Sequence, residues 1–594
     1  MDRNSAIGLT LIAVLLLLYF NFFAPEPPKE TPATITTEQV DSVAQTAPAT
    51  VTDTVKSQGP LATVHGGEEK LTRIETQDLV VTFSSHGGII KELELKKFKT
   101  YYKNPLLLVN PATNTFKLNA TFEGKDLDLY TIYYETESRN GAGDTAIVTF
   151  TAKFAEGKSI TQTYQIPSIG YVMNYAISST GLSESINGDQ LTLEWVDHIA
   201  NQEKDIAPVR ANSTVTWYTA ENNFDKITES STDPETEVIA EPIKWVGIKQ
   251  MFFSNAIIAK GSFKGGELST SVNQANPLIA KSAKVRLFIP KSDVVGNVAR
   301  YELFFGPNQY ELLTSVTKGF GDNLALGWPP VSWVSKFVII PIFHFLETFI
   351  GNYGLIILIM VIIIKLILTP LSYSSYLGMA KMRLLKPELD LIKEKNGDNM
   401  TQAQQDQMKL YQQAGVNPFA GCIPLLLQMP ILFAMFYFFP VSVELRQQPF
   451  LWADDLSTYD SIAHLPFVIP FYGDHVSLFV LLMTASTLVY TWQNNQISSV
   501  TGPMKSMSYI MPVIFLFILN SFSAGLSFYY FVSNLVTFAQ QAIIKRFVDE
   551  DKIKAVMEDH KKKMASGTAT KSKFMTKLDE AMKASEEARK KGKR

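Results

Sequence analysis

The chain of 594 residues carries 54 basic and 57 acidic side chains, a net charge of −3, and its length indicates more than one domain. Its single cysteine, Cys422, excludes an intrachain disulfide framework and a cysteine cluster for zinc. No H-E-x-x-H, G-x-S-x-G or Walker-type sequence occurs, so hydrolase, metalloprotease and ATPase activities lack their minimum residues. We therefore predict no catalytic residues, no metal site and no cofactor, and we expect a protein that is not an enzyme.

The amino-terminal segment, residues 1–24, is predicted to be an uncleaved transmembrane anchor. Its apolar core is longer than that of a typical signal peptide, and neither a small-x-small cleavage site nor a cysteine for lipidation follows it. Arg3 precedes the core whereas Glu26 and Glu30 follow it, which favours a cytoplasmic amino terminus. Residues 25–67 are rich in Pro, Thr, Ala and Glu, so a disordered linker is expected there.

Residues 68–310 are predicted to form an all-β sandwich domain. This segment contains runs of β-branched and aromatic residues that are separated by Gly, Asn, Asp and Pro, and few helical periods interrupt them. His86 stands before two glycines in a predicted turn, where we expect it to be structural. The predicted strands are residues 78–83, 89–95, 146–154, 159–166, 172–178, 191–196 and 285–290.

Residues 311–351 mix apolar side chains with Trp328, Trp333 and a few charged groups, which predicts an amphipathic segment in the membrane interface. Residues 352–373 then form a predicted spanning helix that contains Lys365. A lysine at the centre of such a helix costs roughly 2.5–3.5 kcal/mol on insertion scales. Two interpretations stay open: the ammonium reaches back to the lipid headgroups, or it has a function inside the membrane.

Residues 374–415 are polar and show two helical patterns around an Asn-Gly-Asp-Asn sequence, which predicts a helical hairpin. Lys381, Arg383 and Lys386 follow the membrane segment directly, as expected of a cytoplasmic loop. These charges either set the topology alone or also bind an acidic or nucleic-acid partner.

Residues 416–440 are predicted to span the membrane again, with Gln428 between Pro424 and Pro430. Methionine and phenylalanine side chains make an adaptable apolar surface, which either packs within the protein or holds many unrelated apolar segments. The side chains that would form this surface are Met429, Phe433 and Phe436.

The rest of the chain completes a predicted bundle. Residues 441–475 are acidic and suit an outer loop, whereas residues 476–548 contain three more apolar runs, predicted as transmembrane helices 4–6. Residues 549–594 form a basic tail, which is either a topology signal or a binding site for anionic lipid or RNA. The fold class that follows is a polytopic α-helical membrane protein with six transmembrane helices, five of them in the core bundle, and both termini in the cytoplasm.

Several motifs of the membrane segments resemble the YidC/Oxa1/Alb3 family. The soluble domain resembles the periplasmic domain of the Gram-negative form of this family, so the likeness covers nearly the whole chain. The motifs are Gly415-Val416-Asn417-Pro418, Gly421-Cys422-x-Pro424-x-x-x-Gln428-x-Pro430, Ala524-Gly525-Leu526-x-x-Tyr529-Tyr530-x-x-Ser533-Asn534-Leu535, Gln540-Gln541 and Met379-Ala380-Lys381-Met382-Arg383.

The resemblance implies an insertase and chaperone for newly made inner-membrane proteins, which acts alone or beside the Sec translocon through a hydrophilic groove. The implied partners are nascent membrane proteins, the Sec translocon, the ribosome and anionic lipids, with no small-molecule substrate. The implied groove residues are Lys365, Gln428 and Tyr530; the implied apolar slide is Met429, Phe433 and Phe436; the implied ribosome contacts are Lys381, Arg383 and Lys386. Many relatives carry arginine at the position of Lys365. A groove that needs only a point charge tolerates lysine, whereas a bidentate contact requires arginine, so the departure bears on the strength of the contact more than on its role.

Two other functions remain as alternatives. A small-solute transporter would also place a charge within the membrane, but more spans and an internal repeat are usual for that class and neither is found in the sequence. A membrane-bound enzyme or sugar-binding protein could use the β domain, which offers no convergent catalytic set.

Overall fold

The computed structural model describes residues 62–397, 399–417, 423–497 and 503–566. The predicted anchor, nearly all of the predicted linker, Cys422 and the tail beyond residue 566 lie outside the described residues. The chain divides into two compact units, Met1–Leu324 and Ala325–Arg594.

The first unit is built from antiparallel strands whose side chains alternate between core and surface, as the two-residue period of a strand requires. Along β8 (Ala146–Ala155), for example, Val148, Phe150, Ala152 and Phe154 are buried and the residues that alternate with them are more exposed. The strands are β1 Leu71–Glu75, β2 Leu79–Ser84, β3 Ile89–Lys99, β4 Pro105–Val109, β5 Asn114–Phe122, β6 Lys125–Asp128, β7 Glu135–Asn140, β8 Ala146–Ala155, β9 Lys158–Ile166, β10 Val172–Thr180, β11 Ile186–Ala200, β12 Thr214–Thr219, β13 Phe224–Lys226, β14 Glu235–Ile239, β15 Ile243–Lys249, β16 Phe253–Phe263, β17 Gly266–Ser271, β18 Ile279–Pro290 and β19 Arg300–Pro307.

These strands form three sheets. Nine strands pair in the order β13-β12-β15-β16-β19-β10-β9-β8-β7, six in the order β14-β17-β18-β11-β5-β6, and four in the order β1-β2-β3-β4. The helices of this unit are short: α1 Ala62–His65, α2 Ile206–Ala211, α3 Lys291–Val295 and α4 Tyr310–Val316. The predicted β-sandwich is confirmed, and each of the predicted strands is present.

Aromatic contacts join the sheets. Phe122 of the six-stranded sheet stacks on Phe154 of the nine-stranded sheet, with ring centroids 5.1 Å apart. Phe83 of the four-stranded sheet lies 4.8 Å from the ring of Tyr164 of the nine-stranded sheet. Burying a side chain of this size stabilises the fold by about 1.5–3 kcal/mol, so these contacts hold the layers together.

The second unit is helical. Its first helix is continuous from Pro329 to Glu347 and consists of α5, a single π-helical segment (Ser335–Ile339) and α6. The helices are α5 Pro329–Val334, α6 Ile340–Glu347, α7 Tyr353–Ile367, α8 Thr369–Leu384, α9 Lys386–Asn396, α10 Met400–Gln413, α11 Ile423–Phe438, α12 Leu478–Ile497, α13 Pro503–Leu519, α14 Ala524–Phe547 and α15 Glu550–Ala565. A two-stranded hairpin, β20 Ala463–Ile469 and β21 Gly473–Val476, lies between α11 and α12.

Length and apolar content identify few complete spans among the described helices. Pro329–Glu347, which lies within the predicted interfacial segment, is long and apolar enough to cross a membrane. The pair α7 and α8 also qualifies if the two are taken as one span, although they are bent by 62°. The apolar helices Leu427–Val441 and Ser506–Leu519 are shorter. The six-span arrangement therefore stays a prediction.

The packing of the helical unit brings α14 to its centre. α14 lies against α7 and α12, α13 packs on α12, and α11 packs on α5 and α8. At the other end of α8, the hairpin of α9 and α10 is covered by α15. The predicted helical hairpin is thus present, and the start of the predicted basic tail is an ordered part of it.

Candidate functional site

Lys365 is in the last turn of α7 and is only 7% exposed. In the part of the chain that the structure describes, its ammonium has neither an ion-pair partner nor a hydrogen-bond partner. Neighbouring residues on the helix, Val361 and Ile364, are buried and apolar. A cation in this position is costly to desolvate, and the negative end of the α7 dipole offsets only part of that cost.

The backbone at Lys365 is held by polar side chains at the bend between α7 and α8. Pro370 lacks a backbone N–H and cannot donate to the Leu366 carbonyl, which interrupts the hydrogen-bond ladder here. The Lys365 carbonyl accepts hydrogen bonds from the Thr369 hydroxyl at 2.9 Å and from Gln540 Nε2 of α14 at 3.2 Å. Gln540 Nε2 also donates to Thr369 Oγ1 at 2.8 Å, so α14 is tied to the bend at two points.

A second polar contact lies between α12 and α14. Asn534 Nδ2 donates to Ser486 Oγ at 2.9 Å and to Thr487 Oγ1 at 3.0 Å. Three polar atoms of α12 are buried without a partner among the described residues: Thr484 Oγ1, Gln493 Oε1 and Asn494 Oδ1. Buried polar atoms of this kind usually bind water, so the interior of the helical unit is suited to hold it.

Gln428 and Tyr530 are half-buried on α11 and α14, respectively. Neither makes a hydrogen bond to another described residue, so both keep free polar groups. Neither is bonded to Lys365; among the described residues, the structure brings Gln540 and Thr369 to the lysine instead.

The predicted apolar slide lies on α11. Met429 is exposed, whereas Phe433 and Phe436 are half-buried. The Phe436 ring packs on Phe522, with centroids 5.3 Å apart, so part of this side chain serves the bundle.

The three predicted ribosome contacts differ in their surroundings. Lys386 is exposed and Lys381 is half-buried. Arg383 forms an ion pair with Glu550 of α15, so its charge is partly neutralised within the chain. The sequence placed Glu550 in a basic tail and gave no sign of this pair.

Sequence reasoning did not assign Gln540, Asn534, Thr369 or Ser486 to the site. Gln540 and Asn534 stood within the family motifs, and an amide side chain in an apolar helix is itself a signal of a polar contact between helices. The hydroxyl groups of Thr369 and Ser486 carry no such signal, because Thr and Ser are tolerated in membrane helices when they bond to their own backbone.

Two family profiles match the chain in succession. The profile described as the YidC periplasmic domain matches residues 71–342, and the profile described as 60Kd inner membrane protein matches residues 345–552.

Curated relatives match over almost their full length. The membrane protein insertase YidC of Amoebophilus asiaticus is 43% identical over 591 residues, which cover 98% of this chain and 99% of the relative. The membrane protein insertase YidC of Cytophaga hutchinsonii is 44% identical over 616 residues, which cover 99% of this chain and 98% of the relative. A crystal structure of an active YidC insertase with its first transmembrane domain resolved is 18% identical and covers 80% of this chain and 93% of that one, with a TM-score of 0.31.

Proposed function

The chain belongs to the YidC family of membrane protein insertases, and we propose that it integrates newly made inner-membrane proteins through a polar groove that contains Lys365. It is accordingly an inner-membrane protein with a periplasmic β-sandwich domain. The transporter and enzyme alternatives gain no support, because the relatives that match nearly the whole chain are named insertases.

The burial of Lys365, which has no ion-pair partner among the described residues, is the observation that carries this proposal. A purely structural lysine would be expected to reach solvent or to pair with a carboxylate, since desolvation of an isolated cation is expensive. Lys365 has no carboxylate partner among the described residues, and it is only 7% exposed. The side chain is therefore available to an acidic or polar group that arrives from outside the protein.

Gln428 and Tyr530 supply the other polar groups of the proposed groove, and their free hydrogen-bonding groups are suited to a substrate that changes from one chain to the next. A polar cleft lowers the cost of bringing the hydrophilic end of a substrate partway across the bilayer, because charges inside it are compensated. Met429, Phe433 and Phe436 would then guide the apolar part toward lipid. Its burial, at about 25 cal/mol per Å², supplies the free energy, so no nucleotide is needed.

The topology and the partners belong to the same proposal. Basic residues flank the α9–α10 hairpin and fill the tail 549–594, whereas residues 441–475 are acidic, which favours six spans with both termini in the cytoplasm. Lys381, Arg383 and Lys386 would meet ribosomes, and the tail would meet ribosomes or anionic lipids. The Sec translocon would pass some of its substrates to this protein. Chaperone action would follow because α11 holds apolar segments of a substrate while it folds.

The test is insertion of a small radiolabelled membrane protein into liposomes that contain only this protein. Lys365→Ala is expected to lower insertion and Lys365→Arg to restore it, because a point charge suffices for the proposed contact. The loss should be greater for a substrate with an acidic tail than for a strongly apolar one.

Lys545→Ala is the matched control, since it removes an exposed lysine from the last turn of α14. Equal losses for acidic and apolar substrates would contradict the role of the charge. Equal insertion activity of wild type and Lys365→Ala would show that the lysine is not part of the site.

A further inference from the structure

The segment between α11 and α12 ends in the β20–β21 hairpin, which exposes large apolar side chains. The structure describes this whole segment, and it contains no other strand pair. Phe467 and Val468 are each 60% exposed and Phe471 at the tip is 72% exposed. Such a cluster on a water-facing hairpin would be unfavourable unless another surface covers it.

Irregular pairing of the two strands produces this exposure. Ala463 and His464 pair with Val476 and His475, and the next pair is Ile469 with Gly473. Four residues of β20 therefore lie opposite one residue of β21, and the extra residues, 465–468, form a bulge. The bulge includes Pro466, which cannot donate to a strand ladder, and it turns Phe467 and Val468 outward.

The turn at the tip of the hairpin also exposes an apolar side chain. Tyr472 N donates to Ile469 O at 3.0 Å across Pro470 and Phe471, which closes a tight turn. Phe471 occupies the third position with φ of 66°, a left-handed conformation that usually requires glycine. A position that favours glycine is therefore occupied by an exposed phenylalanine.

Buried hydrogen bonds fix the base of the hairpin to the ends of α12 and α13. Asp460 accepts hydrogen bonds from the backbone N–H groups of Leu478 and Phe479 and thereby caps α12. Asn520, just after α13, donates to the carbonyls of Tyr472 and His475 at 2.8 and 2.7 Å.

The exposed cluster is continuous with the apolar outer surface of α13. The ring of Tyr472 contacts Phe517 of α13, with centroids 5.5 Å apart. Exposed apolar residues continue along α13 beyond this contact: Ile510, Val513, Ile514, Phe515 and Ile518. In a membrane protein such a helix face meets lipid, so the hairpin lies at the edge of a lipid-facing surface.

We propose that the β20–β21 hairpin inserts Phe467, Val468 and Phe471 into the adjacent lipid leaflet and anchors the outer end of α12 and α13 there. Lipid is the occupant that fits best, because the cluster is apolar, lacks directional polar groups at its tip and adjoins a helix that already faces lipid. The proposal rests on the helical unit being in a membrane and is independent of the groove at Lys365.

The experiment measures the depth of a nitroxide spin label in vesicles of phosphatidylcholine and phosphatidylglycerol that contain the full chain. Labels are placed in a Cys422→Ser background at Phe471→Cys and, as a second site, at Val468→Cys. Ile514→Cys on α13 is the lipid-facing reference, and Leu278→Cys, an exposed position in the β domain, is the water-facing reference.

Labels at 471 and 468 are expected to collide often with oxygen, which dissolves in lipid, and rarely with a water-soluble nickel complex. The label at 514 should behave in the same way, whereas the label at 278 should be accessible to nickel. Nickel access equal to that at 278 at both sites would overturn the proposal. Protection that disappears as the lipid-to-protein ratio rises would also overturn it, because a second copy of the chain would then be the cover. Circular dichroism of each labelled variant shows whether it has folded, so a misfolded variant is replaced by the other site.

Discussion

Single residues in this protein hold polar groups where the surroundings are apolar, and two of them give direct tests. Gln540 is the first, because its amide binds both the Lys365 carbonyl and the Thr369 hydroxyl at the bend. Gln540→Leu is expected to cost roughly 1 kcal/mol of stability, the usual contribution of such a bond, and to lower insertion by disturbing the lysine.

Gln541→Leu is the matched control, since it makes the same change one position along α14. Thermal unfolding in detergent and liposome insertion would be measured for both variants. Identical behaviour of the two would mean that the Gln540 amide does not support the site.

Asp197 is the second residue, and it lies in the interior of the β domain. It accepts a hydrogen bond from Asn255 Nδ2 at 3.2 Å, across the two large sheets, while Asn255 Oδ1 is buried without a partner among the described residues. Burial raises the pKa of the Asp197 carboxyl from 3.8 to about 7. Between these values the folded state keeps a proton that the unfolded state loses, so stability falls as the pH rises, by roughly 4 kcal/mol in all.

Asp197→Asn removes this titration and keeps the shape of the side chain. The variant is therefore expected to lose less stability than wild type between pH 5 and pH 8, measured by thermal unfolding followed by circular dichroism of the sheet. Asp189→Asn changes a surface acid paired with Lys264 and should keep the wild-type slope. A slope in Asp197→Asn equal to that of wild type would contradict the assignment.

The residue scale also shows what the sequence could and could not predict. Lys365 was found because a charge interrupts an apolar run. Its burial could not be predicted, since a lysine that reaches the headgroups has the same sequence. Asp197 and Asn255 were missed because their contact joins strands that lie far apart along the chain.

At the scale of elements, α15 packs on the α9–α10 hairpin, which is predicted to be cytoplasmic. Ile553 and Met557 of α15 pack into one apolar cluster with Leu389 of α9 and Leu410 of α10. Two ion pairs, Arg383 with Glu550 and Lys561 with Glu388, border the cluster. Because exposed ion pairs contribute about 0–1 kcal/mol, the apolar contacts provide most of the docking energy.

Met557→Ala is accordingly expected to weaken this docking by about 2 kcal/mol or more, since it leaves a cavity in the cluster. Hydrogen exchange of the α15 amides should then rise by roughly 30-fold, at about 1.4 kcal/mol per factor of ten. Val556→Ala, at a neighbouring position that is 61% exposed, should leave the exchange unchanged. Equal exchange in the two variants would contradict the role of the cluster.

Elements with a clear period were predictable and others were not. β8 and β9 alternate between buried and exposed residues, and the sequence located both. All six residues of β12 are buried, so it lacks the alternation that marks a strand. α15 was interpreted as a solvated tail because its lysines outweigh its few apolar residues, whose partners are on α9 and α10.

At the scale of the whole molecule, the two units differ in the surfaces that they expose. The β domain encloses aromatic and aliphatic residues between sheets, which is the usual pattern in water. The helical unit exposes apolar residues along α13, while Lys365 is buried and Gln540 and Asn534 make hydrogen bonds between helices. This difference is visible in the sequence as polar residues within apolar runs, so the division of the chain could be predicted, whereas the bend between α7 and α8 could not.

The docking of α15 also has a consequence for the order of synthesis. Glu550 is 167 residues beyond Arg383, and Lys561 is 173 residues beyond Glu388. At about 5–20 residues per second, a ribosome needs roughly 10–30 s to make the intervening chain. During that interval Leu389 and Leu410 have no cover from α15, while α11 to α14 are being made. Completion of this apolar cluster therefore coincides with the moment at which α11 to α14 have all been translated.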